Sequence, residues 1–380
     1  MRLAFALFIV LHGLIHLMGF VKALAPDKVP QLQQPISKPL GAGWLVADLL
    51  FTLTAIALFV LPQAWWLLGG ASVVLSQILI CLAWRDARYG TLANAIILVG
   101  ALLGALIHGP WSLRADYDRA VAKALTSLGQ DALITAPEID RLPVPLQRYL
   151  RLSHAEGQPR TANFEARFQG RIRGSAKNRW MPFAACQVET YREPTRLFYM
   201  DATMWGLPVQ VLHIYRGSIA TMRVKLLGLI TLVDAKGPKL DRSETVTLFN
   251  DMCVLGPGAL VDPSIQWQQL DAYRVRGAFV RGPHSITADL TFNKNGELVD
   301  FFSNDRAQAS ADGKVFIPLP WTTPLRDYQW FGSWWISTRG EAKWHPSEGA
   351  FTYGEFELLE LWHNVKPKQT SAAKAGNPAV

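Results

Sequence analysis

Residues 42–84 read AGWLVADLLFTLTAIALFVLPQAWWLLGGASVVLSQILICLAW. Two apolar runs, Ala42 to Leu61 and Gln63 to Trp84, meet at Pro62 with almost no loop, and Asp48 is the one charged residue among them. At 1.5 Å per residue, a run of about 20 residues matches a hydrocarbon core roughly 30 Å thick. The stretch therefore reads as a tight antiparallel hairpin that crosses a bilayer twice. Leu3 to Val21 and Thr91 to Gly109 have the same length and character. Four spanning helices are expected over residues 1–111. Arg2 and Ala23-Leu24-Ala25 imitate a signal peptide, but the apolar run is too long, Lys22 interrupts it and Pro26 would be the first mature residue, so a retained helix is expected.

The average composition conceals two solvents. The 380 residues are 50% hydrophobic and 18% charged, with 38 Lys and Arg against 30 Asp and Glu. Residues 1–111 hold six of the basic and three of the acidic side chains, which leaves 32 and 27 for the remainder, an ordinary balance for a water-soluble domain. Disorder and collagen-like repeats are excluded, and three Cys cannot staple a fold of this size. Lys22, Lys28 and Lys38 after the first helix and Arg85 and Arg88 after the third mark the cytoplasmic side, although Arg114 and Arg119 follow the fourth helix on the other. The expected location is the bacterial inner membrane, multi-pass, with the C-terminal domain extracytoplasmic.

Polar groups inside the helices are costly unless paired or hydrated. His12 and His16 share one helix face, and with Asp48, Gln77 and Asn94 they form a candidate intramembrane polar layer. His16, Asp48, Gln77 and Asn94 lie roughly 12, 9, 10 and 5 Å from the cytoplasmic ends of their helices. A His16 to Asp48 contact would serve as a proton relay or as a socket for a lipid or quinone headgroup. The alternative is interhelical hydrogen bonding that only fixes the bundle. Haem is disfavoured, because two His at i and i+4 cannot supply opposite axial ligands.

Beyond residue 111 the patterning changes. Arg114 to Leu128 has helical spacing, and Pro143 and Pro145 precede a second short helical pattern, so residues 112–160 form an amphipathic connector. From Ala162 the period becomes two. Strands are expected at Phe164 to Ile172, Ala184 to Tyr191, Leu197 to Thr203, Val209 to Tyr215 and Ile219 to Leu227. A helix at Lys239 to Val254 follows, and then strands at Trp267 to Arg281, Ser285 to Phe292, Leu298 to Ser303, Tyr328 to Trp344 and Phe351 to Trp362. Asn293-Lys-Asn-Gly296 reads as a hairpin turn. Residues 161–365 are thus a β-rich domain and 366–380 a disordered tail.

Leu142-Pro-Val-Pro-Leu-Gln-Arg-Tyr-Leu150, His12-Gly-Leu-Ile-His16 and Trp84-Arg-Asp-Ala-Arg-Tyr-Gly-Thr-Leu-Ala-Asn94 resemble an uncharacterised bacterial integral membrane protein family, over nearly the whole chain. The C-terminal part is similar in layout to the lipoprotein carriers LolA and LolB. That resemblance implies an α+β membrane protein: a four-helix transmembrane bundle followed by an antiparallel β half-barrel with inserted helices and an apolar cavity for acyl chains.

Met200, Met204, Trp205, Leu207, Met222 and Leu226, with Trp334 and Trp335, are the candidate cavity wall, since Met and aromatic side chains adapt to flexible acyl chains. A plain core would show the same residues. No G-x-S-x-G, P-loop, H-E-x-x-H or Cys-x-x-Cys motif is present. His213, His284, His345 and His363 have no ligand partner at sequence spacing, so no metal, cofactor or catalytic residue is expected. Cys186 and Cys253 could form one disulfide. Nucleic-acid binding is not expected. The reading is a non-catalytic, membrane-anchored binding protein for a lipid, an acylated molecule or another apolar envelope component, with envelope proteins as candidate partners. A membrane redox or proton-linked component, with the β domain as a docking module, is the alternative, and a structural scaffold the third.

Overall fold

The computed structural model describes residues 2–126 and 132–366. It divides into two compact units, one reaching from the N-terminus to Ala115 and including Leu227–Leu229, the other comprising the remainder. The expected tail from residue 367 on, and Leu128 at the end of the expected connector helix, lie outside the described residues.

The first unit is helical. Its elements are α1 (Arg2–Leu24), α2 (Lys38–Val60), α3 (Trp65–Leu82), the single turn α4 (Trp84–Ala87) and α5 (Gly90–His108). Helices α1, α2, α3 and the segment that begins with α5 are each long and apolar enough to cross a membrane. Apolar side chains such as Ile9, Phe51, Ile80 and Ile97 are buried between the helices, yet many others lie outside while polar groups lie within. Leu7, Leu11, Leu53, Ile56, Val74 and Leu102 are exposed, whereas His12, His16, Asp48, Ser72, Ser76 and Asn94 are buried. Hydrocarbon is the solvent in which that arrangement is favourable. Glycines let α1 and α2 approach closely: a Cβ at Gly19 would stand 2.5 Å from the Trp44 ring, and one at Gly41 2.3 Å from the Ala23 methyl.

The second unit begins within α6 (Leu113–Ala124), at Asp116, which accepts from Arg223 at 2.6 Å. Next come α7 (Ala136–Asp140), closed by a capping box between Thr135 and Glu138, and α8 (Val144–Leu152), which begins just after Pro143. Leu146, Tyr149 and Leu150 on one face of α8 are fully buried. Six strands then follow in a meander: β1 (Asn163–Ile172), β2 (Met181–Thr190), β3 (Thr195–Met204), β4 (Leu207–Arg216), β5 (Ile219–Leu226) and β6 (Ile230–Lys236). Helix α9 (Pro238–Leu255) interrupts the strands. After it come β7 (Gln266–Gln269), β8 (Arg274–Arg281), β9 (His284–Phe292), β10 (Leu298–Ser303), β11 (Ala307–Ala309), β12 (Phe316–Pro318), β13 (Trp321–Thr322), β14 (Leu325–Phe331), β15 (Trp334–Trp344) and β16 (Phe351–His363).

Except for the β11–β12 pair, these strands form one antiparallel sheet in the order β6-β5-β4-β3-β2-β1-β16-β15-β13-β10-β9-β8-β7, with β14 added on β15. The first and last long strands pair in the middle, Phe164 opposite His363. Helix α9 packs against β4, β5 and β6 from one half of this order and against β9, β10 and β15 from the other. Its apolar residues Val246, Leu248, Phe249 and Met252 join the core, where Phe249 stacks on Phe279 at 4.7 Å.

Two expected strands are hairpins instead. Trp267 to Arg281 breaks between β7 and β8, where Asp271 turns the chain by accepting the Tyr273 backbone N–H at 2.9 Å. Tyr328 to Trp344 folds back at Gly332, whose φ of +59° suits a tight turn. Strand β6, short and exposed at alternate positions, has no counterpart among the expected strands. Cys253 is a buried thiol outside any disulfide, so the expected bridge to Cys186 is not formed. On β2, Gln187 reaches Asp251 of α9, so the neighbouring Cys186 side chain points to the opposite face of the sheet from the helix that carries Cys253.

Candidate functional site

Helix α9 follows Gly237, at φ +116°, with Pro238 in its first turn. It is polar yet buried, and buried polar groups require partners. Asp241 accepts from the Ala220 backbone at 2.6 Å, Thr245 pairs with the Tyr215 hydroxyl at 2.9 Å, and Asn250 accepts from Thr323 at 2.6 Å. Glu244, Thr247 and Asp251 recur at helical spacing and face strands β2, β3 and β4 across a cavity of about 190 Å³.

The floor of that cavity is charged. Arg196 on β3 donates through Nε to Asp251 Oδ2 at 2.6 Å and through Nη1 to Glu244 Oε2 at 3.2 Å. Gln187 on β2 donates to Asp251 at 2.8 Å and to Glu189 at 3.2 Å. Arg306 stands 3.7 Å from Glu244 and donates to the Tyr353 hydroxyl at 2.7 Å, with its guanidinium 4.2 Å above the Trp321 ring. His213 Nδ1 lies 3.7 Å from Glu244 Oε2, beyond hydrogen-bond reach, and has no hydrogen-bond partner. Sequence spacing gave His213 no carboxylate, and α9 supplies one.

Electrostatics divides the carboxyls. Burial works to raise the Glu244 group, but His213, Arg196 and Arg306 together outweigh it and hold it well below the usual carboxylate range. Burial likewise opposes the charge on Arg196, and Asp251 and Glu244 more than restore it. Glu189, fully buried, is pushed well above the usual carboxylate range by burial and by the Asp251 charge. Arg196 and Arg306 thus face Glu244 and Asp251, so these four charged side chains of the floor are paired with one another. Phe168, Phe198, Met200, Phe356 and Leu358 form apolar wall above it.

Of the expected cavity residues, Met200 lines this space. Met204, Met222 and Leu226 pack against the core elsewhere, and Trp334 is buried in it beside His363. Leu207 pairs with Met204 at the start of β4, and Trp335 stacks on Tyr328. Trp205 is 79% exposed in a two-residue turn.

In the helical unit, His12 Nε2 bonds Asn94 Oδ1 at 2.9 Å, Ser76 meets both His16 Nε2 at 2.8 Å and Asn94 Oδ1 at 3.1 Å, and Asn94 donates to Gln77 at 3.0 Å. Four of the five expected polar residues thus share one network, with Asn94 at its centre and Ser76 linking His16 to it. Asp48 does not join it: His16 Nδ1 donates instead to the His12 carbonyl at 2.8 Å, and Asp48 Oδ1 is buried without a partner.

A family model described as a family of unknown function, DUF6544, matches residues 132–356. The chain belongs to the DUF6544 family. No curated protein matches it. Solved structures similar to it include a LolA superfamily protein from Nitrosomonas europaea, at 11% identity over 60% of this chain and 93% of that one, with a TM-score of 0.34. A DUF1329 family protein from Desulfovibrio piger is similar at 11% identity over 62% and 95% of the two chains, TM-score 0.34. A domain described as an outer membrane lipoprotein-sorting protein from Vibrio parahaemolyticus is similar at 9% identity over 56% and 88%, TM-score 0.32. The DUF6544 match contains every charged residue of the cavity floor, Arg196, Glu244, Asp251 and Arg306 included, and none of the polar residues of α1, α2, α3 and α5.

Proposed function

We propose that the β-rich unit is a non-catalytic binding module for the apolar end of a lipid or acylated envelope component, held outside the cytoplasm at the bacterial inner membrane by the four apolar helices. One observation carries the reading: the cavity beside α9 joins an apolar wall of Phe198, Met200 and Leu358 to a floor whose charges are already paired. A floor of paired charges gives no net attraction to a charged headgroup, whereas the wall favours hydrocarbon. At about 190 Å³ the space exceeds the ~150 Å³ that accepts benzene, yet it falls short of the ~300–1,000 Å³ of whole-ligand pockets. It takes the end of a chain rather than a whole lipid.

The test is to extract the full chain in native lipid discs and identify retained lipid by mass spectrometry, with Met200→Trp as the variant that fills the cavity. A lipid present in the parent and lost from the folded variant supports the reading. Equal retention by both, or an empty parent, overturns it. Activity of alkaline phosphatase fused after Val380 tests the orientation separately.

A further inference from the structure

A second cavity, about 400 Å³, lies wholly within the helical unit. Its walls come from α1, α2, α3, α4, α5 and the loop between α1 and α2, and include His12, His16, Trp44, Asp86, Tyr89 and Ala93. We infer that this cavity binds a neutral, flat, hydroxylated ring headgroup of a bilayer-soluble molecule, the chemistry of a quinol. This inference does not rest on lipid binding by the β-rich unit.

The hydrogen-bond network dictates what His12 offers. Asn94 Nδ2 donates to Gln77 Oε1, so Asn94 Oδ1 is the acceptor that faces His12 Nε2. In the neutral ring the proton is therefore on Nε2, and Nδ1 carries a lone pair. Among the described residues no hydrogen bond engages that lone pair. The neighbouring His16 is fixed differently: Nδ1 donates to the His12 carbonyl and Nε2 meets Ser76, so both its nitrogens are engaged. Trp44 adds an indole N–H without a partner, and its ring tilts against His16 at 5.2 Å. His12 and Trp44, both in the lining, thus each carry a polar atom without a hydrogen-bond partner among the described residues, an acceptor on one and a donor on the other.

Charge narrows the class. Asp86 is the one formally charged side chain in the lining, and it already accepts the Gln34 backbone N–H at 2.8 Å. Among the described residues no Lys or Arg lines the space, so a phosphate or carboxylate would enter beside an acid with no cation to meet it. A ring hydroxyl can donate to His12 Nδ1, accept from the Trp44 N–H, and stack its face on the aromatic walls. The volume lies within the usual range for a small-molecule site.

The test is a titration of the full chain in lipid nanodiscs with a benzoquinol bearing a single prenyl tail, kept reduced, read by calorimetry. Saturable binding is expected, weakened tenfold or more by His12→Phe and also by Ala93→Phe, which fills the cavity without touching the network. Met200→Trp in the β-rich unit should leave the affinity unchanged, which separates this site from the other. Absence of saturable binding, equal affinity in parent and Ala93→Phe, or displacement of the quinol by excess phosphatidylglycerol would each overturn the inference.

Discussion

Arg196 Nε lies 2.6 Å from Asp251 Oδ2, which joins strand β3 to helix α9 through a pair that is almost fully buried. The same guanidinium holds Glu244, so one side chain compensates two buried carboxylates. Such a pair is weak evidence of net stabilisation, because desolvation offsets most of the attraction. Removing one partner is a different matter.

Arg196→Met should leave Asp251 and Glu244 buried without the guanidinium they share, at a cost of about 3–5 kcal/mol. The double variant Arg196→Met, Asp251→Asn should recover much of that loss, since Glu244 then keeps Arg306 as its cation. Denaturant unfolding of the three proteins, followed by tryptophan emission, measures both. Equal stability of parent and single variant would show that the cluster is hydrated rather than dry.

Asp300 on β10 gives a pH signature. Burial is the main cause of its rise to about 6, and its Oδ1 has no partner. A carboxyl whose folded value exceeds its unfolded value of about 4 favours the folded state while it is protonated. That advantage is lost as pH rises from about 4 through 6, and above this the ionised group destabilises by no more than about 3 kcal/mol. Asp300→Asn should therefore raise Tm at pH 7.5 and change it little at pH 4. A shift of equal size at both values would remove ionisation as the cause.

The helical unit was legible because four apolar runs of membrane length need no tertiary information to be seen. The meander was legible from its period of two, and Phe164 to Ile172 differs from β1 by one residue. Turns without strong signals were not: Gly332 sits between Trp and Phe residues that read as one long strand. The cavity floor was hidden by distance, because Arg196, Glu244, Asp251 and Arg306 come from separate elements. One signal was present. Arg196 alternates with Phe198 and Met200 on β3, so the period that places those two inward places the guanidinium with them. Helix α9 was legible as a helix, but the burial of its polar residues by the sheet was not.

The cysteines yield a direct measurement. Cys253 is fully buried on α9, and burial together with Asp251 and Glu189 pushes its thiol well above the ordinary range. Cys186 is half-buried on the opposite face of β2. Iodoacetamide on the native protein should label Cys186 before Cys253, and all three thiols should react after unfolding without reductant. A mass lower by two hydrogens, with Cys186 and Cys253 both unlabelled, would contradict the fold of β2 against α9.

Trp205 and Gly206 form the two-residue turn between β3 and β4, at φ +53° and +82°. Positive φ at both positions defines the turn that prefers Asn-Gly, and a bulky residue there is strained by about 1 kcal/mol or more. Since Trp205 is exposed rather than part of the cavity wall, Trp205→Asn should stabilise the protein by about 0.5–1 kcal/mol and leave any retained lipid in place. Thermal unfolding and lipid mass spectrometry on the same preparation test both halves. Loss of stability would mean that the indole makes a contact strong enough to outweigh the strain of its turn, and loss of lipid would return Trp205 to the binding site.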